Sequence, residues 1–466
     1  MASDQLPQQA TNEISQESQQ EHNNQAILKN VDGSYEASVR PPSAHLHGRE
    51  LVQKPLEFFL TPTRQYGNVV CYRPAPDPAY LINDPDFIRH VLVDNNRNYT
   101  KDTYINQMFK KAVADGLLTS EGETWRRQRR LMQPAFHQQR LATLDKIITE
   151  RVEIMLKSWE LAYQKGESIL IAHEIAALTL AITTKILFGI DLGEEIGRVG
   201  AAVDMGGALL ERPNNPRFRD GLKTIGESID RIIFARKEIT TEEPDLLSLL
   251  LQAQDAQSDE GHKDHELRHQ MVTLLLAGYE TTASALTWTW YLLAQNPQAA
   301  RRLYEEAQTV LNGRIPAYPD LEHLPYTRMV FEESLRLYPP AWILGRRAIS
   351  EDRIGQYHIP ARAIVAISPY TIHRHPAHWE EPERFDPFRF SRQRSSSRHR
   401  FAYIPFGAGP RQCIGNNLAM IEAGLILPMI AQRFALVLEN DRPIKPEVVF
   451  VLRPDRQMRM RLIKPH

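Results

Sequence analysis

Apolar positions recur at helical spacing through the middle of the chain, and from about Thr124 to Asn312 that period dominates. Glu266 to Gln295 is long, strongly apolar and free of proline, which predicts a central buried helix. A further helix begins at Pro325 and must end before Pro339-Pro340, because the residue before a proline is driven out of the helical region. Near the start, Val69–Arg73 and Ala79–Ile82 flank a proline-rich turn (Pro74, Pro76, Asp77, Pro78) and read as a strand pair. Asp84-Pro85 then opens a helix with Phe87, Ile88, Val91 and Leu92 on one face. Past Pro340 the pattern changes to short alternating runs such as Ala363–Ile367 and a turn-rich segment from His375 to Gln412. A last helix is predicted after Gly415, with Leu418, Ile421, Leu425 and Met429 at its spacing, and a last strand over Met458–Leu462. The fold class is therefore mostly α with small β-sheets.

Composition narrows the function. The 466 residues carry 56 basic and 57 acidic side chains, so the net charge of −1 favours neither nucleic acid nor a strongly acidic partner. Residues 1–26 are rich in Gln and Asn and nearly devoid of apolar side chains, which predicts a disordered tail with no signal peptide or membrane anchor. A spanning helix needs about 20 mostly apolar residues. Ile169–Ile190 and Met271–Gln295 approach that, but His173, Glu174 and Lys185 interrupt the first and Glu280 the second, so both read as buried helices. Two distant cysteines, Cys71 and Cys413, make no disulfide framework and suggest a reducing, cytoplasmic setting. No repeat or linker divides residues 34–466, which read as a single domain.

Phe406-Gly407-Ala408-Gly409-Pro410-Arg411-Gln412-Cys413-Ile414-Gly415 is the most specific stretch. A cysteine in a glycine-punctuated loop just before a helix meets unpaired N–H groups and the positive end of the helix dipole, which favour a thiolate and suit a metal ligand. The glycines permit close approach of a large flat group, Arg411 can neutralise an anion, and Phe406 can cover the sulfur. The spacing Phe-x-x-Gly-x-Arg-x-Cys-x-Gly resembles the haem-binding loop of the cytochrome P-450 superfamily. That resemblance spans residues 34–466 and implies the family's fold, with a long central helix over haem b and Cys413 as the axial thiolate, which favours O–O cleavage.

Ala277-Gly278-Tyr279-Glu280-Thr281-Thr282 lies within the long apolar helix, where a buried carboxylate and two hydroxyls are costly without a purpose. Ala277 and Thr281 share one face, as do Gly278 and Thr282. The hexapeptide is similar to the family's oxygen-activating segment. By that likeness Ala277 and Gly278 leave room at the haem, Thr281 hydrogen-bonds dioxygen, and Glu280 relays protons, an assistance worth about 10²- to 10⁴-fold.

Trp125 and Arg129, one turn apart, resemble the family's pair for a haem propionate; a basic surface helix is the alternative, since Arg126, Arg127 and Arg130 crowd the segment. Arg347 fits the family's arginine on the strand after the double proline, with Arg346 as fallback, and Arg411 completes the set. Glu333 and Arg336, three apart, are by the same likeness a buried pair joined by a second arginine. Arg384 and Arg389 compete for that place, and Arg389 has the usual separation from the cysteine. Arg392, Arg394, Arg398 and Arg400 form an acid-free basic run that is either a solvated loop or a border of the electron donor's docking face.

A different chemistry is written at His265-Glu266-Leu267-Arg268-His269, which matches the zinc-protease helix His-Glu-x-x-His. Its polar neighbours and the lack of a third ligand nearby weigh against it. The expectation is a haem-dependent monooxygenase inserting one atom of dioxygen into an apolar small molecule, fatty acid- or terpenoid-like, with Tyr279, Trp342, Ile343 and Leu344 lining the pocket. Electrons would come from a separate ferredoxin or flavoprotein reductase, with NAD(P)H acting only through that partner. A haem-thiolate gas or redox sensor is the non-enzymatic alternative.

Overall fold

The computed structural model describes residues 25–29, 35–39, 41–44, 48–72, 78–190, 216–237, 245–255, 263–439, 444–448 and 451–465. These residues form two compact units, one of residues 1–100 with 345–368, the other of residues 101–344 with 369–466. The first unit is assembled from two distant stretches, which is why no linker marks it in the sequence. Most of the expected tail and of the proline-rich turn lies outside the described residues, but Gln25 already pairs with Val39 in a strand.

The smaller unit is mainly sheet. Its six-stranded sheet holds β1 (Ser43–Ala44), β2 (Val69–Tyr72), β3 (Ala79–Ile82), β4 (Tyr99–Thr100), β5 (Leu344–Ala348) and β6 (Ile364–Ile367), in the order β1-β2-β3-β6-β5-β4. The expected β2–β3 pair is antiparallel, with Val69 opposite Ile82. Helix α1 (Pro55–Tyr66) precedes the sheet strand β2, and α2 (Pro85–Arg89) starts where expected. Asp84 caps α2 by accepting from the N–H groups of Asp86 and Phe87 at 2.9 and 3.2 Å.

The larger unit is helical: α3 (Tyr104–Val113), α4 (Gly122–Met132), α5 (Asp145–Lys165), α6 (Ile171–Phe188), α7 (Pro216–Lys237), α8 (Leu246–Asp255), α9 (Lys263–Gln295), α10 (Pro297–Leu311), α11 (Pro325–Leu337) and α12 (Asn416–Arg433). Strands β7 (Ala435–Leu438), β8 (Pro446–Val448), β9 (Leu452–Pro454) and β10 (Arg459–Ile463) close the chain. The central helix runs 33 residues, starting three residues earlier than the apolar pattern suggests. It packs against α6, α11 and α12, and nearly every side chain from Gln270 to Trp290 is buried. Such all-round burial is what an apolar helix without a polar face requires. By length and composition α6 could cross a membrane, yet more than half of it is buried against α5 and α9.

Candidate active site

The cysteine loop is held from within and from behind. Positive φ angles of 67° and 71° at Gly407 and Gly409 demand glycine there, and Cys413 N–H donates to Phe406 O at 3.0 Å, folding the loop back on itself. Gly415 differs: its φ is −91° and a Cβ there would only brush Phe136 at 4.0 Å. It ends the loop as the residue before α12. Behind the loop, Ile404 N–H donates to His373 Nε2 at 2.8 Å. Burial and two neighbouring arginines hold His373 neutral, well below its ordinary range, as that acceptor role needs. No sequence signal marked His373.

Cys413 keeps exposed surface although the surrounding protein desolvates its thiol. Burial pushes its thiol up, against the downward pull of the Gly415 N–H and of Arg129. The expected help from the N–H groups at the helix start is present at Gly415, but burial opposes it. Desolvation outweighs the Gly415 N–H and Arg129 here, and a bound metal cation would favour the thiolate.

Trp125 and Arg129 turn inward from α4, while Arg126, Arg127 and Arg130 stay exposed, so the helix is not merely a basic surface. Arg129 Nη1 donates to Gln412 O at 3.0 Å, and the Arg411 guanidinium stacks over the Trp125 ring at 4.0 Å. Arg411 also donates to Ser120 O at 2.8 Å and pairs with Glu121 at 2.9 Å. Three of the four expected propionate partners thus converge beside Cys413. The fourth lies on β5 in the smaller unit, where Arg346 is buried and Arg347 donates to Arg362 O at an exposed edge.

On α9 the buried surface is broken at Ala277, Gly278 and Thr281, which retain partial exposure one turn apart. They form a narrow stripe on an otherwise enclosed helix. Gly278 is needed for packing as well: a Cβ there would come within 3.1 Å of Thr183 on α6. Thr281 Oγ1 donates to Ala277 O at 2.7 Å, leaving its lone pairs to accept. Glu280, 6% exposed, faces away from that stripe toward Arg453 at 3.5 Å and Arg456 at 3.9 Å. Its desolvation outweighs the arginine, and its pKa is raised to about 7. A second buried acid, Glu422 on α12, hydrogen-bonds Thr282 and is pushed up to about 8 by burial. Neither its position nor that of Arg453 was legible beforehand, since both partners come from distant segments.

The remaining residues singled out in the sequence are placed as follows. Tyr279 is 2% exposed and packed in the apolar cluster with Leu275 and Leu276, and Trp342 is likewise buried. Leu344 does reach the loop, its Cδ1 lying 3.8 Å from where a Gly407 Cβ would stand. At the zinc-like motif, Glu266 is engaged by Arg127 at 2.8 and 2.9 Å and by Gln128 at 3.1 Å. Among the described residues no group of three His, Cys, Asp or Glu could hold a metal ion. Of the four arginines, Arg398 is committed to Trp379 and Phe390, at 4.1 and 4.8 Å, and Arg394 pairs with Asp386 at 2.6 Å. Arg392 and Arg400 remain exposed.

An accessible cysteine, anion-binding donors beside it and a small-residue stripe with one hydroxyl fit a flat iron cofactor with two carboxylate arms. This donor set defines a haem-thiolate oxygenase. Residues 43–460 match the family model Cytochrome P450, and the chain belongs to that family. It is a P450-type monooxygenase, an oxidoreductase. It is 38% identical over 417 residues to cyclooctatin synthase of Streptomyces melanosporofaciens, covering 86% of this chain and 90% of that protein. It is 31% identical to pentalenene oxygenase of Streptomyces avermitilis, covering 89% and 94%. The crystal structure of the cytochrome P450DA heme domain superposes with a TM-score of 0.84 at 25% identity, over 92% of this chain and 98% of that one.

Proposed function

We propose that the protein inserts one oxygen atom of dioxygen into a C–H bond of a terpenoid-like apolar molecule, the second atom leaving as water with two electrons and two protons supplied. The observation that carries this reading is the partly exposed stripe Ala277, Gly278 and Thr281 within the buried stretch of its helix, in the same unit as the accessible Cys413. The names of the relatives favour a terpenoid over a fatty acid: one is a cyclooctatin synthase, another a pentalenene oxygenase.

Cys413 would hold the haem iron, with Trp125, Arg129 and Arg411 at a propionate. When bound, the haem supplies the centre at which dioxygen is reduced and oxygen is passed to substrate. Ala277 and Gly278 keep side chains out of that space. Thr281 accepts or passes a proton at its Oγ1, and Glu280 resupplies it from the protein side. A separate ferredoxin or flavoprotein, itself reduced by NAD(P)H, delivers the electrons, and exposed Arg392 and Arg400 suit an acidic donor. A cytoplasmic setting agrees with two cysteines that are not joined in a disulfide.

The test is purification with haem, then titration with cyclic terpenoid hydrocarbons and alcohols for displacement of the iron's water, read in the Soret band. Turnover with isotopically labelled dioxygen and a ferredoxin system should place one labelled oxygen in the product. Substrate-independent spectra and no labelled product would sink the assignment.

A further inference from the structure

Glu280 is held from outside its helix by a hairpin near the end of the chain. In the β8–β9 ladder Glu447 stands opposite Arg453. Arg453 Nε donates to Glu447 Oε2 at 3.1 Å, whereas its Nη1 stands 3.5 Å from Glu280 Oε1. One guanidinium, 12% exposed, is therefore shared between a buried acid and one that is 43% exposed. The backbone of β9 does not share that freedom. Trp288, eight residues beyond Glu280 on the same helix, donates its indole N–H to Leu452 O at 3.1 Å, and Leu452 N–H donates to Pro340 O at 3.0 Å.

We propose that Arg453 is a positioning residue that sets when Glu280 carries a proton, and that Glu447 competes for the same guanidinium, making the β8–β9 hairpin the control point of proton supply. The inference rests on Glu280 acting as the proton relay. With the strand anchored, a small rotation of the Arg453 side chain moves positive charge toward or away from Glu280. A carboxylate in a desolvated site responds strongly to such a movement. Motion toward Glu447 leaves Glu280 protonated and ready to give; motion toward Glu280 leaves it ionised and ready to accept.

The surroundings leave this role to Arg453. Arg456, in the turn after β9, is farther at 3.9 Å. Tyr279 on the same helix has its phenol pushed far up by burial and stays neutral. From α12, Glu422 is bound to Thr282; α6 presents Thr183 toward Gly278, and α11 presents Ser334 toward Ala285 O at 3.4 Å.

The experiment follows the carboxyl stretch of protonated Glu280 in infrared difference spectra of the holoenzyme against pH, the band being assigned by its loss in Glu280→Gln. Arg453→Gln should move the midpoint up by about one unit or more, because an opposite charge within reach is worth that much. Glu447→Gln should move it down, and Arg453→Lys should restore most of the wild-type value. The pH profile of product formed per electron pair consumed should shift in the same two directions. Midpoints that stay put in both glutamine variants, or move the same way in both, would overturn the role of Arg453. Glu447 lies toward solvent, so Glu447→Gln keeps the test decisive if Arg453→Gln does not fold. Absence of oxygenated product from the wild-type protein would instead overturn the relay reading, and the infrared midpoints separate the two failures.

Discussion

The carboxylate of Glu333 and the guanidinium of Arg336 meet in a two-point contact, at 2.7 and 2.8 Å, with neither side chain exposed. Every remaining donor of the arginine is used. Its Nη1 donates to His373 O and Pro382 O and its Nη2 to Arg384 O, while Asp386 N–H and Arg389 Nε approach Glu333 Oε1 at 2.9 and 3.4 Å. One helix turn of α11 thereby fixes the segment that leads to the cysteine loop. Arg389, rather than Arg384, completes the pair; Arg384 gives only its carbonyl, and its side chain goes to exposed Glu381.

Removing one partner strands the other charge in a dry interior, so Arg336→Leu should cost about 3–5 kcal/mol. Arg384→Ala, which keeps the carbonyl, should cost under about 1 kcal/mol. Chemical denaturation of the two variants, with haem retention followed in the Soret band, checks the contrast. Equal losses would mean that the arginine side chains of this segment are interchangeable.

Thr281→Ala removes a hydroxyl that already satisfies itself on Ala277 O, so helix and haem content should be retained. What is lost is the proton acceptor on the stripe. Product formation should fall by about 10²-fold, within the range of general acid–base assistance, while electrons continue to be consumed and appear as hydrogen peroxide. Thr281→Ser should recover most of the yield. Unchanged product per electron pair in the alanine variant would remove Thr281 from proton delivery.

What the sequence disclosed was local. The cysteine loop and the Ala277–Thr282 segment carry their chemistry within ten and six residues, and the Trp125–Arg129 spacing lies within one helix turn, so the pattern displays them. Choosing Arg389 worked because its separation from Cys413 is also a local count. Pairings across long loops left no such trace: Glu280 lies 173 residues before Arg453, and Glu422 meets Thr282 from another helix. Environment was equally hidden. The helix end at Gly415 suggested a thiolate, but the depth of the loop, invisible in a one-dimensional string, pushes the Cys413 thiol the other way. Tyr279 stands beside Glu280 in sequence but belongs to the packed core in space.

Cys413→Ser should leave a folded protein, because the backbone bond from the residue-413 N–H to Phe406 O and the His373–Ile404 bond fix the loop without the sulfur, and a serine oxygen can still accept from the Gly415 N–H. Circular dichroism should be unchanged. The strongly red-shifted Soret band of the reduced carbon monoxide complex should vanish, since it requires a thiolate opposite the carbon monoxide. A serine variant retaining that band would assign the axial ligand elsewhere.

Glu422 makes stability fall as pH rises. Its carboxyl titrates near 4.5 ordinarily and near 8 in the folded protein, because burial in α12 disfavours the charge more than the Thr282 hydrogen bond favours it. Below about pH 4.5 both folded and unfolded chains hold the proton, and the residue has no effect on folding. Between about 4.5 and 8 the unfolded chain releases the proton while the folded chain keeps it, so each step upward favours unfolding. Above 8 the loss is complete. Glu280 acts in the same sense over the narrower window up to about 7. Glu422→Gln is uncharged at every pH and can still bond Thr282, so its melting temperature should equal the wild type's near pH 4.5 and exceed it by several degrees at pH 8, where even 1–2 kcal/mol is about that large a shift. Thermal unfolding of the two proteins across that range checks the sign, and a variant equally destabilised at both ends would mean that the carboxyl is ionised in the fold.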